Sequence, residues 1–480
     1  RLLLHFSFTD VPTQYIEDYL IARLEATLGD LIVKADGIEA GDETAAMGLK
    51  GGENFFRVPS DSAFGAALQI DFSEAYTGLY RFTLESGLFE EKGGRFVGHF
   101  TPDVGILPVI NYQDGPFGAG WGIEGYYELY ENLDAGAVLL VDGNGTESYY
   151  TPPQKAGDPW AGPSGDFSAL RQTRDGNYER KMPDGTVYRF EETGQAASFR
   201  DKREQRPRLL KLKTITDRNN NVTRFDYDEA GNLAAIIDPV GLTTTFAVSS
   251  SQVTLTDPFG RVTRLVIGGD GNLTQIIDPD NTSREFAYDN DHHIIEQTSQ
   301  RGKTDAITYD EYAGRVSGGT VNGKTSTLKP SQIFGFADPD KTRDPDRAPY
   351  ATAFKPITPG EGDEAEGEGG EDEAGGAELV EAVFTTAEGQ KRTYQIDAFG
   401  YYSGGLDLYG SLVEVIRNGY NQVTEQTDSE GNVTTNEYDD LGRLWKVTVT
   451  PADAGEDAAV TLFTYEDRFN QIETVTDPLG

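Results

Sequence analysis

Four histidines, 80 carboxylates and no cysteine are the raw material for chemistry in these 480 residues. Without a thiol there is no sulfur nucleophile, disulfide or thiolate metal site. His5 and His99 stand apart, whereas His292 and His293 are adjacent in Tyr288-Asp-Asn-Asp-His-His-Ile294. Neighbouring strand residues point to opposite faces, so this pair is poorly placed to share one ion, and a turn substitution is the plainer reading. The chain contains no His-Glu-x-x-His, Gly-x-Ser-x-Gly or Walker-type string. Asp142-Gly-Asn-Gly-Thr-Glu147 and Asp338-Pro-Asp-Lys341 alternate oxygen donors. The first lacks the full EF-hand spacing and its closing bidentate glutamate, and turn chemistry explains it better. No carboxylate pair stands out as acid and base. The chain is therefore expected to be non-catalytic and without a cofactor; its acidity reads first as general solubility or a saline habitat, with calcium held by acidic turns as the alternative.

The elements that carry these residues are repeats. Tyr-Asp-x-x-Gly-Asn/Arg-Leu occurs as Tyr227, Asp228, Gly231, Asn232, Leu233 and as Tyr438, Asp439, Gly442, Arg443, Leu444. A second string, Ile/Val-x-Asp-Pro-x-Gly with Thr also at its first position, alternates with it. It gives Asp238-Pro239, Asp257-Pro258, Asp278-Pro279 and Asp477-Pro478. Asp217, Asp238, Asp257 and Asp278 are 21, 19 and 21 residues apart. Ten residues separate Asp217 from Tyr227, Asp278 from Tyr288 and Asp428 from Tyr438. Each unit has room for two short strands and two turns. Asp-Pro opens one turn, because proline presets φ and the Asp side chain can bond the backbone two residues on. The Gly of Gly-Asn-Leu suits φ > 0 at a hairpin tip. Between turns the residues alternate with period 2, as in Val222-Thr-Arg-Phe-Asp-Tyr227. One such unit cannot bury its own apolar face, so stacked units must share a core. Were Tyr438 a core residue, its truncation to Ala would cost about 3–5 kcal/mol.

These strings and their spacing, over residues 175–325 and 383–480, resemble the YD-repeat (RHS-repeat) family of bacterial secreted and surface proteins. Upstream, Pro116-Phe-Gly-Ala-Gly-Trp121-Gly, Val141-Asp-Gly-Asn-Gly-Thr146 and Pro183-Asp-Gly-Thr-Val-Tyr-Arg-Phe190 are similar to the entry segment ahead of such repeats. The resemblance implies an all-β fold: a hairpin ribbon spiralling into a shell-like β-solenoid, preceded by a small β-sandwich-like module. It also implies a secreted or cell-surface scaffold whose partners are its own C-terminal payload, a toxin or effector encoded beyond Gly480, and components of a secretion machinery. The alternative is an adhesin that binds surface glycans through exposed aromatics. Aromatics at fixed repeat offsets, such as Phe225 with Tyr227 and Phe463 with Tyr465, are more simply read as core.

Composition narrows the partners. The formal charge is −39, and removing the eight carboxylates of residues 361–373 still leaves −31. Such a field repels nucleic acid and anionic lipid. No run of 18 apolar residues offers a transmembrane helix. Starting at Arg1 and stopping inside an Asp-Pro-Leu-Gly string, the chain reads as a piece of something longer. Six segments are expected. Residues 1–50 carry a helix over Gln14–Leu28, from Ile16, Leu20, Leu24 and Leu28 with Gly29 after them. Residues 51–110 form the β-sandwich-like module, 111–210 the entry segment and 211–329 the first repeats. Residues 330–382 form an acidic Gly/Glu-rich loop that cannot bury apolar area, and 383–480 resume the repeats.

Overall fold

The computed structural model describes residues 96–132, 136–193, 207–309, 316–329, 380–396 and 402–479 almost without a break. Before residue 96 it describes the strands named below and short segments beside them. The described residues are all β, without a helix. The expected acidic loop lies outside them, apart from its last three residues.

The helix expected over Gln14–Leu28 is, in its described part, the strand Tyr19–Leu28. A spacing of four is also an even number. Ala22 and Ala26 fill the intervening positions, so Ala22, Leu24, Ala26 and Leu28 share one buried strand face. This strand pairs with Gly78–Glu91, whose other edge carries Thr101–Val109. Leu31–Lys34, Asn54–Arg57 and Phe96–Gly98 complete a six-stranded sheet that draws on both sides of residue 50. Leu2–Ser7 and Ala63–Leu68 form a separate pair.

A small barrel follows. Tyr127–Asn132, Ala137–Asp142, Glu147–Tyr150, Ala169–Gln172, Tyr178–Lys181, Val187–Glu191 and Arg208–Thr216 succeed one another as antiparallel neighbours. Bridges through Trp160 and Ala161 span the gap before Ala169. Arg208–Lys211 pairs back onto Glu128–Glu131 and closes the ring. Leu129, Val138, Leu140, Tyr150, Leu170, Tyr178, Phe190, Leu210 and Leu212 fill its interior. The alternate residues Ala137, Leu139 and Val141 pack outward against Leu79 and Ile106 of the first sheet. Being covered on both faces is why Ala137–Asp142 is buried at every position.

Arg208–Thr216 serves two structures. While its first half closes the barrel, Thr214–Thr216 pairs with Val222–Arg224 and starts a ribbon. Twenty strands follow, from Val222–Tyr227 to Ile472–Thr476, each antiparallel to the next. Thr327 pairs directly with Thr385, so the ribbon continues across the insertion. The ribbon does not close on itself: among the described residues Ile472–Thr476 is paired only with Ala459–Tyr465.

Candidate functional site

The recurring structure is the five-residue turn. In each, the first amide donates to the fifth carbonyl and the fourth amide to the first carbonyl, as at Asp228–Asn232 and Asp439–Arg443. The fourth residue takes φ > 0: Gly231 at 86°, Gly442 at 74°, and Asn220, Asn281 and His292 near 64°. The first side chain then caps the turn. Asp238 Oδ1 accepts from the amides of Val240 and Leu242, and Asp257 Oδ1 from those of Phe259 and Arg261. Asp217 and Asp477 cap in the same way, with Asp477 bonding the Leu479 amide. Asp278 departs from the pattern. Its carboxylate faces Gln300 and Arg284, and Asp280 takes the amide of Thr282 instead. Pro239, Pro258, Pro279 and Pro478 occupy the second turn position, where a preset φ is an advantage. Asn221 and Asn432 donate from their side chains to Asp217 and Asp428; these bonds, with the turn amides, hold both carboxyls below the usual carboxylate range.

Because each strand is antiparallel to the next, successive connections alternate between the two ribbon edges. The turns at Asp228, Asp289 and Asp439 therefore share one edge, and those at Asp217, Asp238, Asp257, Asp278 and Asp428 share the other. Sequence shows the two strings alternating; the fold converts that alternation into two different edges.

The Tyr-Asp edge is stitched by tyrosine hydroxyls. Tyr227 donates to Leu212 O (2.5 Å), Tyr288 to Leu273 O (2.6 Å), Tyr309 to Ile294 O (2.8 Å) and Tyr438 to Val423 O (2.9 Å), each 15 residues back. Tyr465 donates to Leu444 O at 2.6 Å. From Tyr288 onward the tyrosine thus binds the carbonyl at the Leu position of the turn string before it, and Tyr227 makes the same bond to the strand that closes the barrel. Tyr309 was legible too: Tyr309-Asp310-Glu-Tyr-Ala-Gly314-Arg-Val is the same string with one residue inserted. Leu233 is buried, whereas Leu444 and Tyr438 are only half-buried. The truncation cost for a core tyrosine is accordingly too high for Tyr438. We expect Tyr438→Phe to lose about 1 kcal/mol, one net hydrogen bond, and Tyr438→Ala about 2 kcal/mol. Chemical denaturation of both variants checks the order.

Burial raises the hydroxyl pKa of Tyr227, Tyr288, Tyr309, Tyr438 and Tyr465 above the ordinary value. A raised folded-state pKa means that the protonated, donating form is favoured by folding. That stabilisation is complete below the unfolded value of about 10 and is lost as pH climbs through the folded values. Absorbance at 295 nm should show these tyrosines ionising later than the same residues in denaturant. Coincident titration curves would contradict the stitched arrangement.

The early ribbon is seated on the entry segment. Phe225, Phe246 and Phe286 share one face, following the register through Ile236, Leu255, Leu265 and Ile276. Phe225 and Phe246 join the barrel's core together with Phe117, while the Phe286 ring meets Trp121 edge-on at 5.1 Å. Trp121 Nε1 donates to the Tyr288 hydroxyl (2.9 Å), and the Ala119 amide to Gly271 O (2.8 Å). Beyond Phe286 the same face is mixed: the register runs through Gln297, Asp305, Ser326 and Arg392 but also through Ile307, Leu328 and Phe384.

The late ribbon returns to the barrel loops on its Tyr-Asp edge. Phe167 lies against Tyr420 and fills the space over Gly442. Phe469 covers Gly185, whose next neighbour is Arg218 in the ribbon's first turn. Asn470 Nδ2 donates to Pro183 O and Arg443 to Asn470 Oδ1, both at 2.9 Å. The sequence pointed to none of Phe167, Phe469 and Asn470, because nothing local marks a turn as docked.

The histidine pair sits in the turn Asp289–His293. His292 occupies the φ > 0 position, and its Nδ1 lies 2.7 Å from Asn272 Oδ1 of a neighbouring turn on the same edge. His293 Nδ1 lies 2.9 Å from Asp289 Oδ2, and its ring stacks on Tyr309. Among the described residues no helix is long and apolar enough to cross a membrane.

Residues 209–244 and 417–456 match the family described as RHS Repeat. No curated protein matches the sequence. Among solved structures, the chain is similar to TcdB2-TccC3 without its hypervariable C-terminal region, at 9% identity and a TM-score of 0.34, covering 83% of this chain and 23% of that one. It is also similar to the Photorhabdus luminescens Tc holotoxin pore, at 10% identity and a TM-score of 0.32, covering 90% of this chain and 23% of that one. The chain thus spans under a quarter of the length of either. Both matched segments are stretches of stitched hairpin ribbon, one on each side of the insertion, so RHS repeats are present in both parts of the ribbon.

Proposed function

We propose that this chain is a non-catalytic, encapsulating segment of a larger secreted or cell-surface RHS protein, housing or displaying a C-terminal toxin or effector encoded beyond Gly480. One observation carries the reading: the ribbon leaves the barrel at Arg208–Thr216 and meets it again at Phe469 and Asn470. Twenty strands at about 4.8 Å make an arc of about 90 Å, or a ring about 30 Å across if circular. Backbone bonds are met along the ribbon, so the wall needs no payload to exist. Secretion components and the payload are the partners of this reading.

The adhesin alternative would rest on Phe259 and Tyr409, the two most exposed ring side chains, which lie at separate turns. Phe225, Phe246 and Phe286, the aromatics at matched strand positions, are committed to the core.

The test is to read the gene past Gly480, express its full product and digest it lightly. A tail unrelated to the repeats that resists protease while the ribbon is intact is the expected result. A tail cut as fast as a free peptide, or repeats running into a wall or membrane anchor, would overturn containment.

A further inference from the structure

We infer that Asp289, Asp291 and His293 form a site for a first-row divalent transition ion of the zinc type, held on one turn of the Tyr-Asp edge. Among the described residues, this is the group whose carboxylate and imidazole ligand atoms all lie within 4.8 Å of one another. The ordinary turn explains why it arises only here. Its first residue is usually Asp, but the third and fifth vary: Ala230 and Asn232, Val240 and Leu242, Phe259 and Arg261, Leu441 and Arg443. In Asp289–His293 both variable positions are metal ligands.

The geometry is largely preset. Asp289 Oδ1 accepts the amides of Asp291 and His293, each at 2.9 Å, which fixes the carboxylate and leaves Oδ2 for an ion. The His293 ring is held by stacking on Tyr309, with centroids 4.6 Å apart and planes at 22°. Asp289 Oδ2 and His293 Nδ1 are 2.9 Å apart. Two ligands at about 2.1 Å from a tetrahedral ion are separated by about 3.4 Å, so the pair need open by only about half an ångström to admit zinc. Asp291 is exposed and can swing to a third position. The competing arrangement is a proton on Nδ1 shared with Asp289, the bond that Asn232 Nδ2 makes to Asp228 in another copy.

That equivalence supplies the test. His293→Asn keeps the turn's hydrogen bond, as in the Asp228–Asn232 and Asp428–Asn432 turns, and removes the ligand. Zinc chloride is titrated calorimetrically into the untagged chain at pH 7.5. The expected result is one saturable site. It should weaken by at least about tenfold in His293→Asn and in Asp291→Ala, with the circular dichroism of the metal-free protein unchanged. Calcium chloride should not compete. An identical isotherm in His293→Asn, loss in His292→Gly instead, or only diffuse binding to the acidic surface would each overturn the proposal.

Discussion

Replacing Arg208 with Ala should destabilise the barrel by about 3–5 kcal/mol, the range for stranding one partner of a buried ion pair. Arg208 opens the strand whose first half closes the barrel and whose second half begins the ribbon. Its guanidinium donates to Glu131 Oε2 (2.9 Å) and to Gly176 O (2.8 Å), and it also bonds Glu192. Glu131 is 9% exposed, and its other oxygen accepts the Tyr178 hydroxyl at 2.9 Å. Without the guanidinium, a carboxylate stays inside the barrel wall with only neutral donors. The reporter is close by: Trp160 meets the Tyr178 ring edge-on at 5.8 Å. Denaturation followed by tryptophan fluorescence should show the loss. Adding Glu131→Gln to Arg208→Ala should recover most of it, because the stranded charge is then gone. A loss below about 1 kcal/mol in the single variant, the scale of an exposed pair, would mean that water reaches Glu131 and that the branch point is not pinned there.

The repeats announce the ribbon because each copy repeats its own solution to a local problem. Asp238 and Asp257 cap, Gly231 and Gly442 accept φ > 0, and the alternation between them sets a strand face. Such local requirements leave residues at fixed offsets. Nothing comparable marks the barrel, where Glu131, Tyr178 and Arg208 come from distant strands and each residue type has an ordinary surface explanation. Tyr19–Leu28 was misread because Leu20, Leu24 and Leu28 satisfy a helical face and a strand face alike. Only pairing with Gly78–Glu91, more than fifty residues on, decides between them. The histidine pair was legible as a turn and illegible as a ligand set. Its second member faces Asp289 in the same turn rather than His292. Adjacent positions excluded a shared ion between the histidines, but not one shared with the turn's own aspartates.

Gly442→Ala should cost about 3–4 kcal/mol, although Gly410→Ala, in the same backbone conformation, should cost only about 1–2 kcal/mol. Gly410 has φ of 80° and Gly442 has φ of 74°, so the strain of adding a Cβ in the left-handed region is common to both. The surroundings differ. A Cβ on Gly410 meets nothing within 4 Å, whereas on Gly442 it would lie inside the Phe167 ring. Overpacking of that kind adds about 1–3 kcal/mol, and it falls on the contact that brings the late ribbon back to the barrel loop. Removing the ring separates the two terms. Phe167→Ala alone loses a partly exposed aromatic contact with Tyr420. Combined with Gly442→Ala it should leave a total cost smaller than the sum of the singles by at least about 1 kcal/mol, since neighbours in contact do not add. Limited proteolysis gives a second readout. Gly442→Ala should open the 152–168 loop to cleavage, and Gly410→Ala should not. Strict additivity, with equal losses at Gly410 and Gly442, would show that Phe167 yields without resistance. The return of the ribbon would then be held at Gly185 and Pro183 by Phe469 and Asn470 alone.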